Sequence, residues 1–233
     1  SYLPYKSHPG VQGVAYGLLD QFMDVPKEQS LIIFRGIAAF LSAFIISLFV
    51  LHIGIEISWL CGVLVLLFSA FCQWMILPAG SIYWNLWAFF LPFLTSGYIL
   101  AFYTKNDRFY LKFFQWALFA TVLVKVLFTG LEIITTALVM TTVPMVFYGI
   151  YKDWEWRIFI SRLLRAGVAI TAATFLGLII LSAQIIANDG NFTSAINHVE
   201  NRLGHHAAGN SEYFFDEKIE ATRISATEII GKY

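Results

Sequence analysis

The chain has 233 residues, 58% hydrophobic, 17% aromatic and only 13% charged, with 15 basic and 15 acidic side chains that cancel. Soluble domains carry about 25% charged residues, and the mean hydropathy here is +0.70. These values exclude a disordered chain, a basic nucleic-acid-binding domain and an ordinary soluble enzyme, and they point to a membrane protein.

In chain order, residues 1–30 come first. Val11, Val14, Ala15, Leu18, Leu19 and Phe22 recur at helical spacing, interrupted by His8, Gln12, Asp20 and Asp24. Ser7 suits a cap, Pro9 a first turn, and Asp24 with Pro26 an end. The pattern predicts an amphipathic helix on the membrane surface, as a site lining or as plain packing.

A spanning helix needs roughly 20 mostly apolar residues, because lipid cannot hydrate an open backbone. No charge falls between Arg35 and Glu56, Glu56 and Lys105, Glu132 and Lys152, or Arg165 and Asp189. Helices are predicted near 32–54, 58–77, 84–103, 111–129, 131–150 and 165–187. The fourth rests on the shortest run, 12 residues between Lys112 and Lys125. Pro92 and Pro144 fall inside two helices and are expected to kink them. The runs are continuous rather than alternating, which argues against a barrel. The expected fold is all-α: a polytopic transmembrane helix bundle of about six spans over 31–187. It follows the external segment 1–30 with its amphipathic helix and precedes an external C-terminal segment, 188–233.

The connections then alternate sides. Lys105, Arg108, Lys112, Lys152, Arg157, Arg162 and Arg165 gather on one side, against Lys125 in the short loops of the other. The positive-inside rule puts the basic side in the cytoplasm and both chain ends on the non-cytosolic face. A chain that opens outside with Ser1 implies a preceding helix or a cleaved signal peptide. Cys61 and Cys72 fall in one predicted helix, about 16 Å apart at 1.5 Å per residue, too far to bridge.

Four segments carry candidate chemistry. The N-terminal stretch offers His8 and Gln12. The turn Ala79–Asn85 sets Tyr83, Trp84 and Asn85 beside Trp87. Its aromatics suit interfacial anchoring, or a wall against a sugar or lipid headgroup, with the amide for hydroxyls. Lys125 and Glu132 flank Gly130, which is expected to break the helix into a tight turn. Lys125 is the candidate for a phosphate and Glu132 for a hydroxyl or for the lysine, against the alternative of a structural ion pair. The tail holds His198, His205 and His206, whose spacing does not suit metal, and Arg202, placed to face an anion. No metal site is assigned, and nothing supports a divalent cofactor. Asn191-Phe192-Thr193 fits the glycosylation acceptor pattern. No glycine-rich phosphate loop, nucleophile elbow, or zinc or haem motif occurs.

Three patterns together resemble a multi-pass membrane glycosyltransferase of the C superfamily. They are Tyr5-Lys6-Ser7-His8-Pro9-Gly10-Val11-Gln12-Gly13, Ala79-Gly80-Ser81-Ile82-Tyr83-Trp84 leading to Leu91-Pro92, and Lys125-x4-Gly130-x-Glu132-x2-Thr135-Thr136 followed by Pro144. The likeness covers roughly residues 1–187 and looks like membrane proteins of bacterial surface-polysaccharide loci. It implies an integral protein of the bacterial inner (plasma) membrane that moves a sugar from a polyprenyl-linked donor to an acceptor on the non-cytosolic face. It also implies a carboxylate near the start of the first large external loop, which here would lie upstream of Ser1; Asp20 and Asp24 are poor substitutes. On that reading Lys125, with Lys6 or Arg202, neutralises the leaving phosphate. Tyr83, Trp84, Asn85 and Gln12 position the sugar.

Two other classes fit the composition. The aromatic load and the small residues Gly167, Ala169, Ala172, Ala173 and Gly177 suit a non-catalytic structural or assembly subunit with protein partners in a membrane complex. A transporter would have Lys125 and Glu132 as its pathway residues, without repeat symmetry.

Overall fold

The computed structural model describes residues 10–102, 107–130, 134–189 and 192, with side chains for all but 107–110, 134–138, 188 and 189. The described residues form eight α-helices and no strand: α1 Val11–Gln21, α2 Lys27–Glu56, α3 Trp59–Phe71, α4 Gln73–Ala79, α5 Leu86–Phe102, α6 Asp107–Thr129, α7 Ile134–Tyr151 and α8 Trp156–Asp189. Residues up to Gln184 make one compact unit, and a second begins at Ile185 within α8.

Three helices, α2, α6 from Leu111 and α8, are long and apolar enough to cross a membrane. A fourth crossing requires α3 and α4 to count as one span, although they are bent by 67° at Cys72. The apolar helices Leu86–Phe102 and Val139–Tyr151 are shorter. At 1.5 Å per residue, the 17 residues of α5 reach about 26 Å, less than the roughly 30 Å of hydrocarbon. Of the six spans expected, three of the described helices, or four with the bent pair, have the length and apolarity of a crossing. Phe40, Phe44, Trp59, Leu60, Phe68 and Phe71 face outward, a surface that lipid covers and water does not.

The core follows from small and aromatic residues at close approaches. Ile45 on α2 packs with Leu86, Phe90 and Leu94 on α5, flanked by Phe49, Phe93 and Met75. α3 starts on a capping Ser58, whose Oγ accepts from the Cys61 N–H at 3.2 Å. It then returns along α2 so closely that a Cβ on Gly62 would lie 3.1 Å from both the Gly54 Cα and the Val50 carbonyl. α8 buries Ala166, Ala169, Ala173 and Gly177 on one stripe, with Gly177 against Val126 of α6. Gly167 and Ala172, grouped with these in the sequence, lie on the exposed side of α8.

Two boundaries differ from expectation. α8 begins at Trp156, nine residues before Arg165, because a charge-free run reports the hydrocarbon thickness and not the helix. The predicted helix 58–77 breaks at Cys72, which has extended backbone (φ −80°, ψ 111°), so the two cysteines are not on one helix. No Gly or Pro lies within five residues of the break. A tertiary contact holds the far end of α4 in place: Ser42 Oγ donates to the Ala79 carbonyl at 3.2 Å. In α7, Pro144 leaves the Met140 carbonyl without its intrahelical donor. Ser96 Oγ of α5 donates to the adjacent Thr141 carbonyl at 3.2 Å.

Candidate functional site

α1, the turn before α5 and the end of α6 converge at one end of the bundle. α6 stops at Thr129, and Gly130 takes the left-handed conformation (φ 73°) that terminates helices, its N–H donating to the Val126 carbonyl at 2.9 Å. The helix C-terminus presents carbonyls and the negative end of its dipole. Lys125 answers both. Its Nζ curls back to the Gly130 carbonyl at 3.0 Å, while Thr129 Oγ1 donates to the Lys125 carbonyl at 2.8 Å. Lys125 is 0% exposed.

The turn Gly80–Asn85 is organised by two side chains. Ser81 Oγ accepts from the N–H groups of Tyr83 and Trp84 at 3.2 and 3.3 Å. Asn85, in left-handed backbone (φ 36°), is the knot. Its Nδ2 donates to the Ile82 carbonyl at 2.9 Å and the Phe128 carbonyl at 3.5 Å. Its Oδ1 accepts from Trp87 Nε1 at 3.2 Å and from the Tyr16 hydroxyl at 3.3 Å. One amide therefore ties α1, the turn, α5 and α6 together. Tyr16 also lies 5.0 Å, ring to ring, from Phe34 of α2. Burial pushes the Tyr16 phenol above its ordinary pKa.

Beside this knot lies an apolar pocket of about 590 Å³, walled by Trp74 and Pro78 of α4, Trp84 of the turn, Phe89 of α5 and Met140 of α7. Ser81 and Thr129 are its polar groups, and Thr129 is the residue bonded to the Lys125 carbonyl. The lining is otherwise apolar. Ser42, which holds the end of α4, is seven residues past Arg35, the last charge before the apolar run of α2, or about 10 Å along that helix.

The sequence-predicted residues divide as follows. Tyr83 and Trp84 are exposed, with Trp84 on the pocket wall. Asn85 is 0% exposed and bonded on both amide atoms, and Gln12 is buried on α1. Lys125 sits at the expected helix end, turned toward its own terminus. His8, Glu132 and Arg202, with Lys6 and the tail histidines, lie outside the described residues. Among the described residues no three of His, Cys, Asp or Glu converge.

A second polar cluster, at the opposite end of α2, escaped the sequence reading. His52 is buried with its ring 4.8 Å from Tyr98 and 6.4 Å from Tyr148. Its Nε2 lies 2.8 Å from where a Cβ on Gly97 would stand. Glu56, one turn further on, faces the buried Tyr148. The signal was present as His52-x3-Glu56, two ionisable groups one turn apart on an apolar helix.

No family model matches the chain, and no curated protein and no solved structure is similar to it.

Proposed function

We propose that the chain is a helical membrane transferase that takes a sugar from a polyprenyl-linked donor at the α1 end of the bundle, with the donor's tail in the pocket between α4 and α5. The observation that carries the reading is the irregular turn Gly80–Asn85. It adjoins an apolar pocket and a buried lysine and is held to α2 through Ser42 at the Ala79 carbonyl and, at Asn85, through Tyr16 on Phe34. Irregular backbone within a helix bundle in a membrane is tolerated where it is packed in protein or lines a cavity that admits polar groups. In this reading all six helical segments, α3 with α4 counted as one, traverse the bilayer, and the α1 end faces the non-cytosolic side of a bacterial inner membrane. Trp84 and Tyr83 offer flat faces to the sugar. Lys125 supplies the cation for the leaving phosphate once α1 and the turn shift to uncover it.

The test uses purified protein in lipid micelles with a polyprenyl-phosphate sugar. The donor raises the thermal midpoint, sugar is released to an acceptor, and Trp84→Ala, at an exposed position, weakens both. A wild-type protein that is neither stabilised by the donor nor active with it refutes the proposal.

One observation favours a second reading, a non-catalytic subunit of a membrane complex: Asn85 is wholly buried and spends its amide on the fold. On that reading the protein purifies with stoichiometric partners and the donor leaves its stability unchanged.

A further inference from the structure

At the α7–α8 end four basic side chains crowd into 14 residues, and the fold sorts them. Lys152 Nζ lies over the Tyr151 ring, 4.8 Å from its centre. Arg162 is buried, with its guanidinium 4.0 Å over the Trp154 ring. Arg157 and Arg165 are exposed on the other face of α8. Neither has an ion-pair or hydrogen-bond partner among the described residues. With Ser161 midway between them they lie along one open face of α8, flanked by Trp156, Ile160 and Leu164.

Depth gives this face its meaning. From Ala166 to Ala187, α8 has 22 residues without a charge, about 33 Å of helix, which matches the roughly 30 Å hydrocarbon layer. Arg165 therefore stands at the edge of that layer, and Arg157 stands about 12 Å further out. Between them lies the headgroup zone, where Trp156 also belongs. Arg157 and Arg165 stand one helical turn before and after Ser161 on the same face of α8, so two planar guanidinium forks are available to phosphate oxygens there. The hydroxyl adds a third donor. Trp156, Ile160 and Leu164 face the glycerol and the upper acyl chain. Basic pockets at this depth on a transmembrane helix match acidic lipid headgroups.

We propose that the outward face of the first two and a half turns of α8 is a binding site for one anionic phospholipid, with its phosphate held by Arg157, Ser161 and Arg165. The site is separate from the pocket between α4 and α5 and does not depend on the transfer reaction. The occupant is a lipid and not free phosphate, because Trp156, Ile160 and Leu164 make half of the residues of this face apolar, and the exposed apolar surface continues along α8 at Val168.

The full chain, purified in neutral detergent, is titrated with phosphatidylglycerol and with phosphatidylcholine of the same acyl chains. Bound lipid is counted by native mass spectrometry. One phosphatidylglycerol binds in preference to phosphatidylcholine, and R157Q/R165Q weakens that binding by about thirty-fold. R35Q, on α2, does not. Excess inorganic phosphate fails to displace the lipid. Equal binding of the two lipids, an unchanged double variant, or displacement by phosphate overturns the proposal. If the double variant does not fold, brominated phosphatidylglycerol decides on protein that does. It quenches wild-type tryptophan fluorescence more than that of W156F, and equal quenching overturns the proposal.

Discussion

Replacing Gly177 by alanine probes the seating of α8 on α6. The added Cβ would overlap Cγ1 of Val126, whose own Cβ is 3.3 Å away. Val126 is completely buried, and its β-branched side chain has essentially one rotamer in a helix, so it cannot swing clear. Overpacking of this kind costs about 1–3 kcal/mol. Alanine also gains about 1 kcal/mol of helix propensity over glycine, so a lone measurement would understate the clash. Gly167→Ala, ten residues earlier on the exposed side of the same helix, removes that ambiguity. Nothing lies within 4 Å of its Cβ position, so this variant shows the propensity gain alone. The stability gap between the two variants is then the overpacking cost, about 1–3 kcal/mol. Reversible unfolding in mixed micelles, followed by tryptophan fluorescence, reads it. Val126→Ala added to Gly177→Ala recovers part of the loss, a non-additivity expected for side chains in contact. If G177A and G167A prove equally stable, or if the double variant is additive, the packing of α8 on α6 described here is wrong.

Three further outcomes are expected. Asn85→Gly lowers stability by about 2–3 kcal/mol through the lost buried hydrogen bonds, and Asn85→Ala by about 1 kcal/mol more, since alanine resists the left-handed backbone that glycine accepts. Thermal midpoints in micelles should rank wild type, N85G, N85A. Tyr16 has a phenol pKa raised by burial, so its neutral form supports the fold. That support is complete below the unfolded value of about 10 and is lost as the pH climbs through the folded value. Tyr16→Phe should remove a late-titrating phenolate from the 295 nm absorbance and flatten the alkaline stability loss. Gly97→Ala drives a methyl to 2.8 Å from His52 Nε2. It should destabilise the protein by about 1–3 kcal/mol, and His52→Ala in the same chain should restore part of that loss, as unfolding midpoints will show.

The helices were legible wherever charge punctuates an apolar run. Arg35 and Glu56 bracket the hydrophobic part of α2, and Gly130 ends α6 as a glycine after a helix should. The break at Cys72 was not legible, because Ser42 meets Ala79 from 37 residues away and no local residue marks the bend. The candidate site was legible as a set of segments and not as a set of roles. An amide in an aromatic turn reads equally as a sugar ligand or as a backbone strut, and the four hydrogen bonds that Asn85 makes inside the protein are visible only in three dimensions. Lys125 stood out as an isolated cation in apolar sequence, but its bond to Gly130 depends on where the helix stops. His52 and Glu56 were readable as an i, i+4 pair, but the tyrosines that surround them come from α5 and α7.

The outward-facing Trp74 and Leu77 of α4 border the apolar pocket, and on the proposed function this changes what concentration means for its ligand. A lipid-linked donor reaches such an opening in two dimensions within the leaflet, so occupancy follows its mole fraction among lipids and not its molarity in the buffer. Diluting the membrane with inert lipid at constant total ligand should empty the pocket, whereas diluting the vesicles with water should leave it as full as before.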